Sequence, residues 1–97
     1  MSSWSFGQRV IKNQTRTVNQ TGTQRSDAFT TGVTYVRCTA DATGVFIAFG
    51  KTPTAAVTTG IRLVANEPKT FKVDNADKLA AIIASSTANV FIEELSE

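Results

Sequence analysis

The sequence has 97 residues, enough for one domain, and a chain of that length buries only about 60–65% of the surface that its unfolded form exposes, so its stability margin is thin. One Cys and no His exclude an internal disulfide and remove the commonest metal ligand and the commonest general base. The net charge of +2 hides an asymmetry, because residues 1–25 carry Arg9, Lys12, Arg16 and Arg25 with no acid, whereas residues 26–97 set six Lys or Arg against all eight acids.

Four spread cations are too few for a nucleic-acid tail, which shows clustered Lys and Arg with interleaved aromatics. A basic segment that meets an acidic protein surface is the simpler expectation. Trp4-Ser5-Phe6-Gly7 follow the first residues with no basic flank and no apolar h-region, so no signal peptide is expected. The longest apolar runs, Val45 to Phe49 and Leu79 to Ala84, fall far short of the roughly 20 residues of a membrane helix. A soluble product made in a cytoplasm, with no membrane partner, is the expectation.

Along the chain, residues 1–12 hold Trp4, Phe6, Val10 and Ile11, apolar enough to dock on something. Residues 13–27 have Val18 as their only strong hydrophobe and repeat Asn-Gln-Thr at a six-residue spacing, which predicts an extended, Thr-rich arm that orders against a neighbour. Residues 1–30 are therefore expected to be an N-terminal arm and residues 31–97 a β-domain. Val33 to Ala40 places Thr34, Val36, Cys38 and Ala40 on one face, and Asp41-Ala42-Thr43-Gly44 is a turn that folds it back on Val45 to Phe49. That second segment is apolar on both faces, as in a central strand, and Pro53 ends it.

After a weak linker at Ala55 to Thr59, Gly60 to Ala65 resumes the alternation. Lys69 to Val73 alternates with Phe71 and Val73 on the buried side. Lys78 to Ala84 carries conflicting signals; Asp77 could cap a short helix, but Ile82-Ile83 before a Ser85-to-Asn89 turn favours a strand. Val90 to Leu95 is the last segment. Turns at every 8–12 residues predict an all-β fold, an antiparallel β-sandwich, jelly-roll-like or a small barrel, of about seven strands with an extended N-terminal arm.

No constellation carries chemistry, so no enzyme is expected. Cys38 has no His to activate it and reads as a small core hydrophobe. Asp74, Asn75 and Asp77 lack the ligand count of a calcium loop and read as turn and capping residues. Neither a metal nor a cofactor is expected. Glu93 and Glu94 point to opposite faces of a strand and read, with Glu97, as a solvated acidic terminus. Trp4 and Phe6 are candidate anchors in a protein interface.

Residues 33–95 resemble a group of small structural proteins of tailed phages, β-sandwich proteins of the capsid surface. The most specific elements are Ala48-Phe49-Gly50-Lys51-Thr52-Pro53-Thr54-Ala55 and Ala65-Asn66-Glu67-Pro68-Lys69-Thr70-Phe71-Lys72-Val73. The resemblance implies a head decoration or cement protein, bound outside the shell at capsomer junctions, in many cases as a trimer. On that expectation the partners are the major capsid protein and further copies of the chain, with no direct nucleic-acid contact, and the location is the virion. The resemblance stops short of residues 1–30, where Trp4, Phe6, Arg9, Lys12, Arg16 and Arg25 are the expected capsid-binding residues. Similar sandwiches occur in tail and fibre proteins, so the alternative is a receptor- or glycan-binding module, for which Tyr35, Phe46 and Phe91 are the candidate aromatics, although all three are more simply explained as core.

Overall fold

A computed structural model describes residues 10–74 and 77–95. Eight strands occupy them: β1 (Val10–Asn19), β2 (Gln24–Arg25), β3 (Tyr35–Ala40), β4 (Val45–Gly50), β5 (Ile61–Leu63), β6 (Lys69–Lys72), β7 (Lys78–Ile83) and β8 (Thr87–Leu95). They form two antiparallel four-stranded sheets, ordered β1-β8-β3-β6 and β2-β7-β4-β5, an all-β arrangement compatible with a sandwich. Residues 31–97, where about seven strands were expected, hold six among the described residues; the other two, β1 and the two-residue β2, lie in the stretch expected as an arm.

Period-2 alternation assigns each strand a buried face. Val36, Cys38 and Ala40 of β3 and Ala88, Val90 and Ile92 of β8 point into the same core as Val45 and Ile47 of β4 and Leu79, Ala81 and Ile83 of β7. Burying a side chain such as Ile47 or Leu79 contributes about 1.5–3 kcal/mol. Phe49 stacks obliquely between Phe29 and Phe71, with ring centroids 6.4 and 5.2 Å apart, and closes one end of that core.

Two expectations about connectivity change. β3 and β4 do not pair as a hairpin; the 41–44 turn carries the chain from one sheet to the other, so the two strands face each other across the core. Asp41 holds the turn to β8, its N–H donating to the Asn89 carbonyl (3.1 Å) and its Oδ1 accepting from the Asn89 N–H (2.8 Å). The expected turn at residues 85–89 is shorter, with Ser86 at φ 68° and β8 starting at Thr87. Residues 78–83 form a strand because β4 pairs with their full length.

The described part of the expected arm, residues 10–30, adds strands to the sheets: β1 pairs with β8, with an irregularity between Val10 and Lys12, and β2 pairs with β7. A strand at a sheet edge needs few apolar side chains, and Val18 alone supplies β1's apolar burial.

The apolar outer face of β4 is covered by residues 53–55. Arg25 Nε donates to the Pro53 carbonyl (2.6 Å), Arg25 Nη2 to Thr54 Oγ1 (3.3 Å) and the Ala55 N–H to Thr23 Oγ1 (3.0 Å). Ala80, opposite both Arg25 and Ala48, is fully buried. The loop returns through Gly60, where a Cβ would lie 2.9 Å from both the Ala56 carbonyl oxygen and Phe46 Cβ. Gly60→Ala is therefore expected to destabilise the protein by about 1–3 kcal/mol through overpacking, read as a lower urea midpoint at unchanged m-value.

Candidate functional site

The flank where the two sheets expose their edges, β1 and β2, gathers Gln14, Ser26 and Glu94, three of the four buried polar or charged residues among those described. Val90, Ile92 and Glu94 share the inner face of β8, so Glu94 is carried into the interior with no exposed surface. Its Oε1 accepts from the Thr30 N–H (2.7 Å) and its Oε2 from Gln14 Nε2 (3.3 Å). Gln14, also buried, accepts the Asp27 N–H on Oε1 (2.9 Å), and its Nε2 also reaches the Asp27 carbonyl (3.3 Å). Two side chains thus pin the 27–30 segment against the inner face of β1. The expectation of a solvated terminus fails for Glu94, while Glu93, on the opposite face, pairs with Arg37 across the strands.

Arg16 completes the flank. Nε donates to the Arg25 carbonyl (3.1 Å), Nη1 to the Thr15 carbonyl (3.1 Å), and Nη2 lies 3.3 Å from Asp27 Oδ1. The ladder geometry gives these carbonyls meaning. Asn89 bonds toward β3, so even-numbered residues of β8 and their β1 partners bond to each other, and odd-numbered residues of β1 turn their N–H and C=O outward. The same reasoning from the Ser26 N–H to Leu79 carbonyl bond turns Arg25's backbone away from β7. One guanidinium therefore covers a carbonyl on the edge of each sheet.

Of the six residues expected to bind a capsid, Arg16 and Arg25 are engaged within the body, and Lys12 is exposed on β1 opposite Glu94 with no ion pair among the described residues. Trp4, Phe6 and Arg9 lie outside the described residues. Arg16 and Arg25 are neighbours, joined by the bond from Arg16 Nε to the Arg25 carbonyl.

A different surface emerges on the outer face of the β1-β8-β3-β6 sheet. Phe91, 41% exposed, sits between Thr15 and Thr39, and the next row toward the end of β8 holds Asn13, Glu93 and Arg37. Tyr35 pairs with Lys72 and Leu95 beyond it. On the other side, Thr17 Oγ1 donates to Asn89 Oδ1 (2.9 Å), whose amide donates to Asp41 (3.1 Å). Phe91 was expected in the core; the period-2 pattern that buries Val90 and Ile92 instead turns it out. Tyr35 and Phe46 are half-buried.

The remaining candidates have structural roles. Cys38 is fully buried; burial, reinforced by the nearby Glu93 charge, pushes its thiol up to about 12, so it stays a protonated core side chain at neutral pH. Asp77 Oδ2 accepts from the Asp74 N–H (2.9 Å) and its Oδ1 lies 3.1 Å from Lys51 Nζ. Burial raises its carboxyl, but the Asp74 N–H and the Lys51 ammonium outweigh it and hold the group below its ordinary value of 3.8. Asn75 lies outside the described residues. Among the described residues no three His, Cys, Asp or Glu side chains come together as metal ligands.

Comparison of the chain with known protein families, with curated proteins and with solved structures finds no match.

Two outcomes follow. Glu94→Ala orphans the Thr30 N–H and removes one of the two acceptors of the Gln14 amide, so it is expected to cost about 2–4 kcal/mol and to speed amide exchange at Thr30 more than at β4. Because Asp77 has a lowered folded pKa, its stabilisation is complete above the unfolded value and is lost as pH falls through the folded one. Asp77→Asn should therefore weaken the acid-induced fall in Tm below about pH 4, while lowering Tm at pH 7.

Proposed function

We propose that the chain is a non-enzymatic virion protein, a decoration or cement protein of a tailed-phage head that lies on the outside of the shell and bridges major capsid subunits. The sequence resemblance over residues 33–95 supports the reading. The observation that carries it furthest is the exposed start of β1, where Val10 and Ile11 are 41% and 46% exposed, directly continuous with Trp4, Phe6 and Arg9. Apolar side chains left in solvent beside a basic, aromatic segment favour burial against a protein partner. Many identical copies, each burying a modest area, hold to a lattice through avidity. In this reading residues 1–12 reach the neighbouring capsid subunit, and Arg16 and Arg25 serve the body that presents them.

Phe91 supports a second reading, a glycan- or receptor-binding face on a tail or fibre. An exposed ring flanked by Thr15, Thr39, Arg37 and Glu93 offers one apolar platform ringed by hydrogen-bonding groups. Chemical-shift changes at Phe91 on titration with host surface glycans, absent in Phe91→Ala, would favour it over decoration.

The deciding measurement is quantitative mass spectrometry of purified virions. Abundance near that of the major capsid protein is expected; a handful of copies per particle would move the chain to the tail or connector, and its absence would remove the virion reading. Removing residues 1–9 stops short of β1, so the shortened protein is expected to keep its β-sheet circular dichroism and to lose binding to capsids that lack it. Undiminished binding would falsify the role of that segment.

A further inference from the structure

The edges of the two sheets are unequal. β2 has two residues, β5 three and β6 four with Lys69 and Lys72 on it, whereas β1 runs for ten residues without proline, and beyond the irregularity between Val10 and Lys12 its residues 13–19 carry one cation, Arg16. Short or lysine-bearing edges resist pairing with another chain, and a long one invites it. Along β1 the backbone groups of Asn13, Thr15 and Thr17 turn outward, and among the described residues only the Thr15 carbonyl meets a partner there, Arg16 Nη1.

We propose that the free edge of β1 is an interaction surface for a second copy of this chain, paired antiparallel about Thr15, and that Arg16 sets how readily it pairs. Only odd-numbered residues face outward, so the two copies can pair only odd with odd, which also matches their inner and outer faces. Centring on Thr15 sets Asn13 against Thr17 of the second copy, Thr15 against Thr15, Gln14 against Arg16 and Lys12 against Val18. A shift of one residue either way sets Lys12 against Arg16 or Arg16 against itself, and like charges directly opposite are unfavourable. Charge thus disfavours the two neighbouring registers, and of the remaining ones centring on Thr15 pairs the longest stretch of β1, residues 11–19, with a ladder of Thr and Asn on its outer face.

Arg16 opposes the pairing because its guanidinium occupies the central outward carbonyl while tied to Arg25 and Asp27. The second copy's Thr15 N–H must share or displace it. The pairing is twofold, goes beyond the capsid reading, and is tested in solution without any capsid.

Sedimentation velocity over a concentration series tests it on the full chain. Arg16→Met, which keeps the stem and removes the donors, is expected to strengthen dimerisation about tenfold or more, the equivalent of one hydrogen bond from a charged group no longer displaced. Thr15→Pro removes an outward N–H and leaves the β1–β8 ladder intact, as proline on a sheet edge can, and is expected to abolish the dimer in both backgrounds. Thr15→Cys is expected to form a disulfide-linked dimer under mild oxidation, since facing residues of such a pair lie about 5.5 Å apart at Cα, whereas Asn13→Cys is not. Cys38 is buried and does not compete. A folded Arg16→Met protein that stays monomeric, a dimer that survives Thr15→Pro, or cross-linking through Asn13→Cys rather than Thr15→Cys would each overturn the proposal.

Discussion

Glu94 has no exposed surface, and much of the β1–β2 flank is arranged around the use of its two oxygens. A carboxylate in a protein interior is tolerated only when hydrogen bonds replace its hydration, and here a backbone N–H and a side-chain amide do so. Each donor imposes a further constraint. The amide belongs to Gln14, which must stay on the inner face of β1; the N–H belongs to Thr30, which must stay where the chain leaves β2 for β3. The satisfied carboxylate thereby fixes the last strand, the first described strand and the connection between β2 and β3 in one arrangement.

That constraint explains a strand that composition alone does not. β1 buries Gln14 and Val18, with Arg16 half-buried between them, and is held by addressed hydrogen bonds instead of an apolar stripe. On the opposite sheet the same economy recurs with Arg25, whose side chain ties the 53–54 segment over Ala80. Two of the basic residues that suggest an external partner in the sequence are thus committed to closing this fold. Lys12, exposed on β1, makes no ion pair among the described residues.

The strands from β3 onward were legible because their side chains alternate, and the alternation in Val36-Arg37-Cys38 or Val90-Phe91-Ile92 states which face is buried. The same alternation already placed Glu94 in line with Val90 and Ile92; a preference for solvating charge near a terminus overrode it. Phe91 obeys the same alternation in the outward sense, which its aromatic character does not reveal. Which strands pair was not legible, since the 41–44 turn reads equally as a hairpin or as a crossing between sheets, and only the position of β8 decides. The dual roles of Arg16 were also out of reach, because its two carbonyl acceptors belong to strands in different sheets.

Of the connections between consecutive strands, only β4 to β5 stays within one sheet. The central strand of the first sheet, β8, is the last described strand to be synthesised, and β1, β3 and their inner faces have no ladder between them until it arrives. During translation this sheet therefore cannot assemble stepwise from the N-terminus; its completion waits for residues 87–95 to clear the ribosome. In that interval β1 exposes both edges and β3, once β6 has paired with it, the edge that β8 will cover, so the nascent chain, more than the finished protein, is the form in which mispairing between neighbouring copies is decided.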